Sequence, residues 1–265
     1  MKAYMFLGLI GLTTLTSEMV LAHGTQIPLS IQEYRPGHFR IVTHEWGTHG
    51  DTTLKGEDRL FTIPLSQYTE TIETAGWYGH QPAGDTTSSS YGHPGFAYGR
   101  SSFAPSSTLT VTFLDQAKVW DPITSTFIST GGERIQGLRG GSLTTGFTNG
   151  RDSDGNVMGT GISITLPATL TENSHATIRW RMLDSTGSPG GTIDDGIYMA
   201  ILRVSTNQPG IESSLPYVFL FTKNAGSTDI SDAEAFVSAH IIPEPVMMSG
   251  LGLFLTMTLR RYRRS

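Results

Sequence analysis

The sequence predicts an all-β domain, an antiparallel β-sandwich or jelly roll with one short helix near its C-terminal end. Three observations predict it. Apolar residues take every second place in several short segments, which is the period of a strand with one wet face. Two later segments, 197–204 and 217–221, are apolar on both faces and read as central strands covered on both sides. The chain is rich in turn formers, with 31 glycines and 13 prolines among its 265 residues.

Taken in order, short strands are expected at 39–43 and 60–63. Thr108-Leu109-Thr110-Val111-Thr112-Phe113 alternates, so Leu109, Val111 and Phe113 share one face. Further strands are expected at 118–120, 126–128 and 134–138. Segment 162–166 alternates again, and 176–182 does so most cleanly. There Ile178, Trp180 and Met182 lie on one face while Arg179 and Arg181 lie on the other. The strands 197–204 and 217–221 follow. Ser231-Asp232-Ala233-Glu234 has a capping-box pattern and predicts a short helix on which Ala233, Phe236, Val237 and His240 share one face. Residues 75–105 are rich in Gly, Ser and aromatic side chains and read as one long loop.

Composition narrows the chemistry. A net charge of −5 disfavours nucleic acid as a partner. With no cysteine in the chain, disulfides, thiol catalysis, thiolate zinc sites and iron–sulfur clusters are excluded.

Both ends read as targeting segments flanking a domain at 23–240. Lys2 precedes an apolar run, and Val20-Leu21-Ala22 matches a small-residue cleavage site, so 1–22 reads as a signal peptide and His23 as the mature start. At the other end, 241–265 holds Pro243-Glu244-Pro245, an uncharged apolar segment at 246–259, and Arg260, Arg261, Arg263 and Arg264 around Tyr262. The apolar segment spans about 21 Å as a helix, short of a hydrocarbon core of about 30 Å. Snorkelling arginines make up the difference and hold their end in the cytoplasm. The two prolines keep the preceding backbone extended and open to a protease.

That order of elements resembles the PEP-CTERM sorting signal of Gram-negative bacteria. The resemblance implies a single short transmembrane sorting helix, processing by the exosortase, passage through the export machinery and inner membrane, and an association with exopolysaccharide. A second set of segments resembles a group of secreted PEP-CTERM proteins of planctomycete-like bacteria without assigned function. It comprises His23-Gly24-Thr25, His93-Pro94-Gly95-Phe96, the run from Leu109 to Trp120-Asp121, the late strands, and Ala233-Glu234-Ala235-Phe236. Many members carry histidines where this chain has Gly155-Asn156-Val157-Met158, so the resemblance implies no metal role for that region.

The leading expectation is a non-enzymatic structural or matrix-associated protein of the cell surface or envelope, without cofactor. Two alternatives have named residues. Trp77, Tyr78, Tyr91, Phe96 and Tyr98 form an aromatic group that could stack on sugar rings as a carbohydrate-binding module; otherwise they are a small core pinning the loop. The second alternative is a divalent-metal site. His44, His49 and Asp51 are the densest set of ligand types, but the spacing is one residue too long for H-E-x-x-H, and two glycines oppose a helix. His23 at a mature N-terminus could chelate copper through its amine and imidazole. A second histidine from His44, His49, His80 or His93 would complete a histidine brace like that of lytic polysaccharide monooxygenases. The flanking motifs and cysteines of that family are absent. Residues 149–156 resemble part of a calcium loop, but Gly150 and Gly161 stand where ligands belong, so a turn at Asp154-Gly155 is the simpler reading.

Overall fold

The structure is a computed structural model that describes residues 26–45, 57–68, 76–79, 95–98, 103–139, 146–148, 161–171 and 174–242. The described residues form a mostly β structure with one helix. In chain order the strands are β1 (Gln26–Arg35), β2 (His38–Thr43), β3 (Leu60–Tyr68), β4 (Gly76–Gly79), β5 (Gly95–Ala97), β6 (Thr108–Phe113), β7 (Lys118–Asp121) and β8 (Thr126–Ser129). They continue as β9 (Arg134–Arg139), β10 (Gly146–Thr148), β11 (Ile162–Thr165), β12 (His175–Leu183), β13 (Gly196–Thr206), β14 (Ile211–Glu212) and β15 (Tyr217–Lys223). The helix α1 (Ser227–His240) closes the series.

Hydrogen bonding joins the strands in the order β11-β6-β13-β15-β3-β4-β12-β5-β1-β2-β14, with β9 and β10 beside β12 and the β7–β8 hairpin beside β13. Most neighbours are antiparallel, as expected. Three pairs are parallel instead: β15 with β3, β1 with β5, and β14 with β2. Several strands divide their length between two partners. Residues 60–64 of β3 pair with β15 and 65–68 with β4. The first three residues of β12 pair with β5, the rest with β9. Strands that change partner midway let a sheet turn a corner and face itself.

That folding-over creates the main core. Trp180 on β12 packs edge-on against Phe113 of β6 and Phe219 of β15, although these strands are not neighbours in the sheet. The alternating residues Leu109, Val111, Phe113, Ile164, Ile178, Trp180 and Met182 are all buried there. Each large apolar side chain so enclosed contributes about 1.5–3 kcal/mol.

The two strands expected to be covered on both faces are so covered. On β13, Tyr198, Ala200, Leu202 and Val204 join the main core, while Ile197 and Met199 face a second cluster. On β15, Tyr217, Phe219 and Phe221 point inward while Val218 and Leu220 point out beneath α1, against Ala233 and Val237. The β7–β8 hairpin completes this second layer, with Trp120 packed on Phe127 and Phe236.

Two expectations are corrected. The helix starts one turn earlier than the capping-box pattern suggested, with Gly226 as an extended N-cap that supplies no side-chain bond. Glu234 does not reach back to Ser231; its carboxylate accepts a 2.5 Å bond from Thr62 Oγ1 on β3. The extra turn places Ile230 against the second cluster, so packing sets the start of the helix. Residues 75–105 are not one loop, because β4 and β5 lie within them.

Among the described residues no helix is long and apolar enough to cross a membrane. The signal segment 1–22, the motif Pro243-Glu244-Pro245, the apolar segment 246–259 and the arginines at 260–264 lie outside the described residues.

Candidate functional site

The aromatic group of 75–105 goes into the fold. Tyr78 and Phe96 are each 1% exposed and Tyr98 is 4% exposed. Tyr98 donates its hydroxyl to the His175 carbonyl at 2.9 Å, and Phe96 stands edge-on to Tyr217. Trp77 is half-buried, with the Lys223 ammonium 4.5 Å from its ring centroid. Three of the rings therefore present no face to a sugar, and one face of the fourth holds a cation. The physical reason is that Gly-flanked aromatics form the short strands β4 and β5, whose side chains turn inward. Tyr91 lies outside the described residues.

Of the candidate metal ligands, His44 is described and His23, His49, Asp51, His80 and His93 lie outside the described residues. His44 is buried just past the end of β2. Its Nε2 lies 2.8 Å from Ser30 Oγ and 3.5 Å from the Gln32 amide nitrogen. These neighbours on β1 are a hydroxyl and an amide. Among the described residues no group of three or more His, Asp or Glu side chains is arranged to hold a metal.

The Lys223 ammonium ties the start of β13 to the end of β15. It donates to the Ile193 carbonyl at 2.8 Å and to Asp195 Oδ1 at 2.5 Å, and Asn224 donates to the same carboxylate oxygen at 3.0 Å. Those bonds, the lysine's first, hold the Asp195 carboxyl below its ordinary value. The lysine thus bonds two acceptors and lies over the Trp77 ring.

Among the described residues the richest exposed group of polar and aromatic side chains lies on the β1–β2 ribbon, of which sequence reasoning expected the strand at 39–43 and missed β1 and its pairing. The ribbon extends beyond the core, so residues 32–35 and 38–39 are all exposed. Tyr34 donates to Glu212 Oε1 at 2.6 Å, and the guanidiniums of Arg35 and Arg40 lie 5.3 and 5.2 Å from its ring centroid. The bond to Glu212 raises the tyrosine hydroxyl and lowers the carboxyl. His38 Nδ1 lies 3.7 Å from the same carboxylate. Arg40 donates to Glu57 at 3.1 Å, and Arg59 Nε lies 3.9 Å from Glu57's other oxygen. Arg59 also donates to the Ile242 carbonyl at 3.4 Å.

The signal for this ribbon was present. Ile27, Leu29 and Ile31 alternate, and Pro36-Gly37 separates them from the second strand, with Gly37 at a positive φ of 75°. Pro28 within the first run masked it. The ribbon presents exposed rings, the Arg35 guanidinium, one imidazole and the carboxylates of Glu33 and, from β14, Glu212.

No family model matches the chain, and no curated protein matches it. Among solved structures, a family 123 glycoside hydrolase from Clostridium perfringens, described for glycolipid glycan hydrolysis, is similar at 16% identity with a TM-score of 0.21. The similarity covers 45% of this chain and 19% of that chain, so this chain spans about a fifth of the enzyme's length. A superposition of that quality assigns neither fold nor activity.

Proposed function

We propose that the protein is an exported, non-enzymatic component of the cell envelope or its matrix, a β-sandwich delivered by a PEP-CTERM type of sorting tail. One observation carries the reading. Pro243-Glu244-Pro245, the uncharged segment 246–259 and four arginines follow one another without interruption. They suit, in turn, an extended cleavable backbone, a short membrane insert and a cytoplasmic stop. The fold is consistent with this use. Helix α1 ends at His240, and Ile242 still packs in the second cluster. The motif therefore follows directly on a residue that packs in the second cluster. The signal-like segment 1–22 and the absence of cysteine agree with export of a domain that relies on its hydrophobic core.

In this reading the partners are the export machinery, an exosortase and the inner membrane, and the mature domain resides at the surface near exopolysaccharide. The test is fractionation of cells that make the wild-type chain or Glu244→Ala. Processed wild-type protein should leave the inner membrane, and the variant should accumulate there uncut. Identical processing of both would remove the motif's role.

A further inference from the structure

We infer that the β1–β2 ribbon is the surface with which the folded domain rests on the bilayer that receives its tail. The inference depends on the sorting-tail reading and adds the part of the domain that meets the lipid headgroups.

Contacts lead from the tail's origin to the ribbon. Arg59 bonds the Ile242 carbonyl with one end of its guanidinium and approaches Glu57 with Nε. Glu57 pairs with Arg40, whose guanidinium lies beside the Tyr34 ring. Tyr34 in turn bonds Glu212, the carboxylate that His38 approaches. The connector from Ile242 to Val246 contains three residues and reaches about 14 Å at full extension. An apolar segment entering the membrane at residue 246 therefore holds the face around Ile242 close to the headgroup layer.

The exposed side chains of the ribbon suit that layer. Tyr34 and Phe39 are 37% and 38% exposed, and Arg35 and His38 are exposed beside them. Aromatic rings and long cationic side chains place apolar bodies and polar tips at the level where water gives way to lipid. Among the described residues the other exposed large apolar side chains, Ile123 and Ile128, are on the β7–β8 hairpin. Val119 pairs with Tyr198 antiparallel, so the hairpin turn leaves past Gly196, the residue paired with Lys223 just before α1 begins. Ile242 is at the far end of that 14-residue helix, which is about 21 Å long. The hairpin turn thus points toward the end where α1 begins and the tail leaves from the end where α1 finishes, although Trp120 and Phe127 at the hairpin's base pack on Phe236. The membrane is the assigned occupant because the chain itself ties it to the Ile242 end.

The chain has no cysteine, so single labels are clean. The experiment uses the full chain in vesicles of phosphatidylethanolamine with a minority of phosphatidylglycerol. Phe39→Cys and Ile123→Cys each carry one fluorophore, and a nitroxide on the lipid headgroup quenches it. Circular dichroism confirms that both labelled proteins are folded. The label at position 39 should be quenched severalfold more than the label at 123, and Tyr34→Ala with Arg35→Ala should reduce that ratio. Equal quenching of membrane-held protein, or stronger quenching at 123, overturns the ribbon as the seat and leaves the tail reading intact. Complete release of the protein by alkaline carbonate overturns both.

Discussion

The Trp180 ring meets Phe219 edge-on, 5.1 Å between centroids with their planes 89° apart. This contact joins β12 to β15 across the inside of the folded sheet, and both rings are fully buried. Trp180→Ala should cost about 3–5 kcal/mol, seen as a lower denaturant midpoint, because it leaves a cavity beside Phe113, Phe219 and Phe221. A loss near that of an exposed-site change would mean that the two layers do not face each other.

Tyr217 makes the opposite prediction. Its ring packs among Phe61, Phe96 and Phe219, yet its buried hydroxyl has no hydrogen-bond partner among the described residues. Burial raises that hydroxyl well above its ordinary value, so it stays neutral. Tyr217→Phe removes an unsatisfied polar atom and keeps the ring. Thermal unfolding should show no loss of stability, and a gain of up to about 1 kcal/mol. A clear loss would place a bonding partner beside the hydroxyl.

The inner face was legible because it follows from local alternation. Ile178, Trp180 and Met182 need only period two to be placed together, and the apolar runs at 197–204 and 217–221 announce cover on both faces. What was not legible depends on distant pairing. The parallel contact of β15 with β3 joins residues 158 apart in sequence, and nothing local in Leu60 or Val218 encodes it. For Tyr78 and Phe96 the sequence left a sugar platform and a small core both open, and burial against β12 and β15 decides for the core. Of the candidate site, the ribbon's turn was readable at Pro36-Gly37. The meeting of Tyr34 with Glu212, 178 residues apart in sequence, was not.

Asp58 sets a pH signature. Burial is the largest influence on its carboxyl and raises it, opposed by backbone bonds from Leu60 and Arg59. With the folded value above the unfolded one, the unfolded chain releases its proton first as pH rises. Stability from this group therefore falls between the ordinary carboxylate value and the raised one, and stays lower at neutral pH. Asp58→Asn keeps an acceptor for the Leu60 N–H, now bonded at 3.0 Å. It should raise stability at neutral pH and remove that step from the pH profile. Asp184, Asp195 and Glu212 have the opposite sign, since their carboxyls are held low. Their contribution is lost as pH falls through those lowered values, so Asp58→Asn should leave the acid limb in place. Unchanged stability at neutral pH would show that the Asp58 carboxylate is adequately solvated.

The start of α1 gives a paired test. Ser231 lies inside the helix, so Ser231→Ala should change stability by less than about 0.5 kcal/mol. Gly226 is the cap, and a Cβ there meets nothing closer than an Asp229 oxygen at 3.6 Å. Gly226→Ser should stabilise by a few tenths of a kcal/mol in urea unfolding. A loss of about 1 kcal/mol on removing the Ser231 hydroxyl would restore the later start.

The proposed sorting tail is tested by mass spectrometry of protein extracted from the cell envelope. Processing predicts a mature chain beginning at His23 and lacking the arginines at 260–264, with peptides from α1 intact. Mature molecules that mostly retain Arg260 to Ser265 would contradict it and make the C-terminal segment a plain membrane anchor.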